Sequence, residues 1–176
     1  SEAEEALKEL KRTSDEHRKR LEDLHRRDKK LNDDSKRRLD ELLKRDEDTN
    51  RTVLDIARQG KAREELLKEL KERTRRLHED NKRLLRELEK RSKEIEDEIR
   101  DTLEKLKRKL DELRKANVVD EELLRTLEKI VEDNAREVTE IIKKNRKLND
   151  DSRREHERIN DESRRLNEET EKRLRD

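Results

Sequence analysis

Leu31-Asn32-Asp33-Asp34-Ser35 lies inside Lys29–Arg38, which reads KKLNDDSKRR, and the same five residues return as Leu148-Asn149-Asp150-Asp151-Ser152 inside Arg146–Glu155, RKLNDDSRRE. The two copies are 117 positions apart. In both, Asn and Ser stand where the surrounding leucine spacing asks for an apolar side chain in a helix core. Whether these polar positions are buried or solvated decides the fold.

Outward from Leu31, residues Leu7, Leu10, Ser14, His17, Leu21, Leu24, Asp28 and Ser35 recur at alternating steps of three and four. The pattern then slips by one position and continues through Leu39, Leu42, Asp46, Thr49, Val53 and Ile56. Such spacing places all of them on one face of a helix. A second segment repeats the pattern from Leu67 to Leu113, and a third from Leu124 to Leu174.

Two breaks separate the segments. Gly60 is the only glycine, and a glycine after a periodic stretch reads as a left-handed residue just past a helix end. Lys61 is a poor N-cap, but one helix running through Gly60 would reach about 115 residues and roughly 170 Å, too long for a compact chain. The second break is Asn117-Val118-Val119-Asp120-Glu121-Glu122. Asn117 suits the left-handed position, and Asp120 suits the N-cap, with two acids facing the positive helix end. Val119 and Leu124 are spaced as a hydrophobic staple, and Ser1 with Glu4 as a capping box. The expected helices are about 2–59, 61–116 and 120–175, each about 55 residues and roughly 80 Å long, in a single domain 1–176. Short connections make neighbours antiparallel. The expected fold is all-α: an up-down-up, coiled-coil-like antiparallel three-helix bundle of very long helices.

Composition narrows the function. Charged residues make up 59% of the 176, apolar residues 25%, and there is no Phe, Trp, Tyr, Pro, Cys or Met. Polarity of this degree alone points to disorder, but strong helix formers at a helical period and a net charge of +1 point the other way. Without cysteine there is no disulfide framework, thiolate metal site or cysteine nucleophile. No apolar run approaches the roughly 20 residues that span a membrane, and no signal-peptide pattern is present. The expectation is a soluble chain of unknown compartment, consistent with recombinant cytoplasmic expression. Lys+Arg (52) and Asp+Glu (51) are mixed throughout, unlike a basic nucleic-acid footprint.

The two turns set a register. Folding back at Gly60 brings together residues of helices 1 and 2 whose numbers sum to about 120, and folding back at Val118 gives about 236 for helices 2 and 3. Helices 1 and 3 then align with an offset of about 116, and the repeated LNDDS gives 117. In this register the unusual polar residues group into layers. Ser14 and His17 meet Thr102 and Asn134. Asp28, with His25 and Asn32 nearby, meets Ser92 and Asn145. Ser35 meets Ser152, with Asn149, Asn81 and His156 close by. Asp46 meets Thr74 and Ser163, with His78 and Asn160 at the edge, and Thr49 and Asn50 meet Asn167 and Thr170. Apolar layers lie between. Leu7 and Leu10 face Leu110, Leu113, Leu123 and Leu127. Leu21 and Leu24 face Ile95, Ile99, Val138 and Ile141. Leu39 and Leu42 face Leu77 and Ile159, and Val53 and Ile56 face Leu66 and Leu67.

A buried polar group without a hydrogen bond costs about 1–3 kcal/mol. Clustering lets such groups satisfy one another, and a slip by one heptad would set Asn against Leu and leave donors unpaired. The Glu, Lys and Arg runs read as solvated faces with i,i+4 pairs.

These alternating layers, the saturated surface of Glu64–Arg73, the Asp120 cap after a short loop and the missing aromatics, Pro, Cys and Met make the chain similar to de novo designed helical bundles with buried hydrogen-bond networks. The resemblance covers the whole chain and implies that the networks set pairing specificity. The departure is a more polar core.

Chemistry has little purchase in the sequence. His17, His25, His78 and His156 form no HxxxH pair, and they fall in different layers or at layer edges, so no metal site is expected. No nucleophile accompanies His25 and Asp28, and no glycine-rich loop could hold phosphate. The expectation is not an enzyme, with no cofactor, no nucleic acid, no membrane and no required partner. Two readings of function follow. One is a structural scaffold whose buried polar layers set helix register and pairing specificity. The other is an interaction module that completes a larger bundle with another copy or a partner helix, using Leu43, Leu54, Leu85, Leu103, Ile130 and Ile142 beside the core seam.

Overall fold

In the computed structural model, which describes residues 1–60 and 62–176, the chain forms three helices: α1 (Glu2–Arg58), α2 (Arg63–Ala116) and α3 (Glu121–Arg175). No strand occurs among the described residues. The expected start of the second helix at Lys61 lies outside the described residues, and α2 is under way at Arg63.

The helix ends follow local chemistry. Ser1 Oγ accepts the Glu4 N–H at 3.3 Å, and Asp120 Oδ1 accepts the Leu123 N–H at 2.7 Å. Each cap satisfies a backbone donor that the first helical turn leaves free. Glu121 and Glu122 occupy the first turn of α3, while Arg114 and Lys115 occupy the last turn of α2. Both placements complement the helix dipole. Gly60 has φ +87° and Asn117 φ +52°. Glycine reaches this left-handed region freely, and Asn tolerates it because its short side chain bonds locally.

The chain divides into two compact units, and each contains a length of all three helices. The first comprises Ser1–Lys30 and Arg91–Leu148; the second comprises Leu31–Lys90 and Asn149–Asp176. The division in α1 falls at the start of the LNDDS segment. In each unit α2 runs antiparallel to α1 and α3, as an up-down-up three-helix bundle requires.

The first unit holds two apolar clusters. Leu10, Leu106, Leu110, Leu127 and Val131 form one, with Leu7, Leu113, Val119, Leu123 and Leu124 packed against it. Leu21, Leu24, Ile99, Leu103 and Val138 form the other, flanked by Ile95, Ala135, Ile141 and Ile142. Leu103, expected beside the seam, is therefore a core residue. In the second unit Val53, Leu66, Leu70 and Leu174 cluster, and Leu39, Leu77 and Ile159 are also buried. Each buried Leu, Ile or Val side chain contributes about 1.5–3 kcal/mol. Ion pairs such as Arg20–Glu98 (2.9 Å) and Arg146–Glu96 (2.8 Å) in the first unit, and Arg153–Glu89 (2.8 Å) in the second, are largely exposed. Pairs of this kind add at most about 1 kcal/mol each.

Replacing the α3 cap tests this account of the turn. Asp120→Ala should destabilise the chain by about 1 kcal/mol in a denaturant titration, and Asp120→Asn, which keeps the acceptor, by much less. Equal losses would assign the effect to the charge instead of the cap.

Candidate functional site

The structure concentrates its distinctive chemistry in the polar side chains buried between helices. In the first unit the centre is Asn134, which is fully buried on α3. Its Nδ2 donates to the Ile130 carbonyl at 2.7 Å and to Ser14 Oγ at 2.6 Å. Its Oδ1 lies 2.7 Å from His17 Nδ1. A carbonyl only accepts, so the amide nitrogen must face Ile130, and His17 Nδ1 must then carry the proton. The other ring nitrogen, His17 Nε2, is buried without a partner. Thr102, expected in this layer, does not join it. Its hydroxyl donates to the Glu98 carbonyl one turn back, at 2.8 Å and in an exposed setting. Further along the same unit Ser92 Oγ donates to Asp28 Oδ1 at 2.9 Å, and His25 Nδ1 sits 2.6 Å from Asn145 Oδ1.

The second unit contains two further groups. In one, Asn32 Nδ2 donates to Asn149 Oδ1 at 3.0 Å, and the Ser152 hydroxyl donates to Asn32 Oδ1. Asn32, expected near the Asp28 layer, is thus joined to the second copy of its own motif. Nearby, Asn81 Nδ2 donates to the His156 carbonyl at 3.2 Å and to Asn160 Oδ1 at 2.6 Å. Asn81 Oδ1 therefore faces His156 Nδ1, which donates to it. His156 Nε2 is left to accept the Ser35 hydroxyl at 3.0 Å. Asn160, expected at the Asp46 layer, belongs here.

The other group runs along Asp46, Ser163, Asn167 and Asn50. Ser163 Oγ donates to Asp46 Oδ2 at 2.8 Å and accepts from Asn167 Nδ2 at 3.3 Å. Asn50 Nδ2 donates to Asn167 Oδ1 at 2.8 Å and to the Asp46 carbonyl at 2.7 Å. Two layers expected to be separate are one network. Thr74 and Thr170 stay outside it, since their hydroxyls bond the Leu70 and Leu166 carbonyls of their own helices. The backbone carbonyls of Ile130, His156 and Asp46 are the participants that side-chain periodicity does not reveal.

The three-helix fold is shared with a solved protein described as a "Computationally designed three helix bundle". The two align with a TM-score of 0.50 at 17% identity, over 99% of this chain and 86% of that one. A likeness at this identity is one of fold. No protein-family model and no curated protein matches the sequence.

The electrostatics are those of groups taken out of water. Burial holds His17, His78 and His156 below the ordinary imidazole value, against the opposing pull of Asn134 and Glu137 on His17, Asp46 on His78 and Glu89 on His156. Burial also pushes Asp28 and Asp46 up, with Ser92 and Ser163 as the first opposing influences. Among the described residues no group of three or more His, Cys, Asp and Glu is placed to hold a metal ion. The arrangement exchanges hydrogen bonds between helices, and among the described residues His17 Nε2, Asn50 Oδ1 and His78 Nε2 are the buried side-chain atoms left without a partner.

Two opposing pH dependences follow. Below about pH 6.5 the unfolded chain takes up protons that the buried histidines resist, so stability falls with pH. Folded Asp28 and Asp46 take up protons before their unfolded counterparts, so their contribution rises as pH falls toward about 3.9. In the double variant Asp28→Asn/Asp46→Asn, the denaturation midpoint should fall from pH 7.5 to 5. A flat profile would contradict the histidine assignment. The native chain should gain on that variant as pH falls, and a pH-independent difference would contradict the aspartate assignment.

Proposed function

We propose that this chain is a designed structural scaffold, with no natural ligand and no catalysed reaction, in which buried polar layers set helix register and pairing specificity. One observation carries the reading. Directly bonded partners on α1 and α3 keep to offsets within one helical turn: 120 or 121 for Ser14–Asn134, His25–Asn145, Asn32–Ser152 and Ser35–His156, and 117 for His17–Asn134, Asn32–Asn149, Asp46–Ser163 and Asn50–Asn167. The offset of 117 is also the one between the LNDDS copies. Leucine layers alone tolerate a slip by one heptad, because one Leu replaces another. Polar layers do not, because a slipped Asn meets Leu and its donors go unpaired. The composition, the surface charge pattern and the fold shared with a designed bundle support a designed origin.

The rival reading, a module that completes a larger bundle, has less support. Among the described residues no large hydrophobic side chain is exposed. Leu43, Leu54, Leu85, Ile130 and Ile142 are half-buried, and Leu54 and Ile142 pack against apolar clusters of the chain itself.

Paired replacement separates register from stability. In His17→Leu/Asn134→Leu/Asn50→Leu/Asn167→Leu both sides of two bonded pairs become apolar while Ser14 and Ser163 lose a partner, so the cost should fall well below the sum of the four single replacements. The amide NMR spectrum should split into several sets as alternative registers become populated. Asn134→Leu alone should cost about 1–3 kcal/mol by stranding Ser14 and His17. A single sharp spectrum from the fourfold variant that persists when Asn32, Asn149, Asn81 and His156 are replaced by Leu as well would overturn the proposal.

A further inference from the structure

α3 is one partner in every buried bond between helices described above except Ser92–Asp28. It bonds α1 through Asn134, Asn145, Asn149, Ser152, His156, Ser163 and Asn167, and α2 through His156 and Asn160. None of these bonds involves the turn that ties α3 to α2. That turn is short, and it holds Asn117 at φ +52°, a conformation most residues resist. What α1 and α2 select is therefore the side-chain pattern of α3, while the turn supplies only proximity.

We propose that the α1–α2 hairpin accepts the α3 of a second copy in place of its own, through the same residue pairs, so that two chains can exchange α3. This rests on the reading that the polar layers set pairing. The intact turn favours a chain's own α3 because a short tether holds it at a high effective concentration, typically in the millimolar range. Asn117→Ala with Asp120→Ala removes the left-handed residue and the N-cap together. Alanine is the best helix former, so α2 continues toward α3 and the self-docked arrangement loses its turn. Reciprocal exchange closes as a two-fold pair with every layer filled.

The test uses full-length chains. The sequence has no cysteine, so His25→Cys in one chain and Asn145→Cys in another give one thiol each, at a facing pair of which residue 25 is half-buried and residue 145 buried. Both chains also carry Asn117→Ala/Asp120→Ala. They are mixed, warmed, cooled and treated with a short bismaleimide. The expected result is a covalent pair containing one of each chain, a dimeric mass by light scattering and a cooperative melt. Replacing Asn145→Cys by Glu132→Cys, out of register with residue 25, should give no pair. A turn-substituted chain that remains monomeric, or that associates without the register-dependent crosslink, overturns exchange and leaves the register reading standing. Adding His17→Leu, Asn134→Leu, Asn50→Leu, Asn167→Leu, Asn32→Leu, Asn149→Leu, Asn81→Leu and His156→Leu to both chains should blur the crosslink across registers. If that variant still crosslinks only at 25 and 145, exchange stands and the register reading fails.

Discussion

A buried amide held by a backbone carbonyl is the constraint on which the rest of this core depends. An Asn side chain can rotate to exchange its oxygen and nitrogen, so a network of amides has no inherent direction. Here the Ile130 carbonyl holds Asn134, the His156 carbonyl holds Asn81 and the Asp46 carbonyl holds Asn50. Once those three amides are oriented, the roles of Ser14, His17, Asn160, Asn167 and Ser35 follow bond by bond. The helix backbone, rigid on account of its own hydrogen bonds, thereby orients each amide and dictates which polar groups of a neighbouring helix that amide can pair with.

That coupling divides labour between the two kinds of layer. The apolar clusters provide cohesion, and they are made of leucine with some isoleucine and valine, side chains that can stand in for one another. The polar groups add little net stability, because each gives up water to gain a partner. Their contribution is the penalty on every other alignment. Each compact unit contains both kinds, so each carries its own cohesion and its own register. Asp28 and Asp46 show the cost most plainly: a carboxylate taken from water is held by a serine hydroxyl, and its ionisation is disfavoured.

Much of this was legible in the sequence because the helical period is strict. Gly60 and Asn117 sit at the turns because the left-handed backbone there admits few residues, and the offset between LNDDS copies is the offset of four bonded pairs, with the other bonds between α1 and α3 within one turn of it. The threonines were not legible. A Thr at a core-facing position can bond a neighbour or its own helix one turn back, and periodicity does not distinguish the two. Thr102, Thr74 and Thr170 all took the local bond. Layer membership was readable only to about one turn. Asn32 and Asn160 each moved to an adjacent group, since the reach of an amide along the helix axis is comparable to the rise of a turn. Leu103 entered the core from a position beside the seam, because a three-helix interior admits a stripe wider than the central heptad positions.

The most direct measurement is the protonation tautomer of His17 and His156, read from long-range nitrogen–proton correlations on histidine labelled with nitrogen-15 at pH 7.5. If the carbonyl-held amides direct the networks, both rings carry the proton on Nδ1, with His17 Nε2 bare and His156 Nε2 accepting from Ser35. A proton on Nε2 of either ring would mean that its amide is turned the other way, and that the carbonyls of Ile130 and His156 do not set the direction of the core.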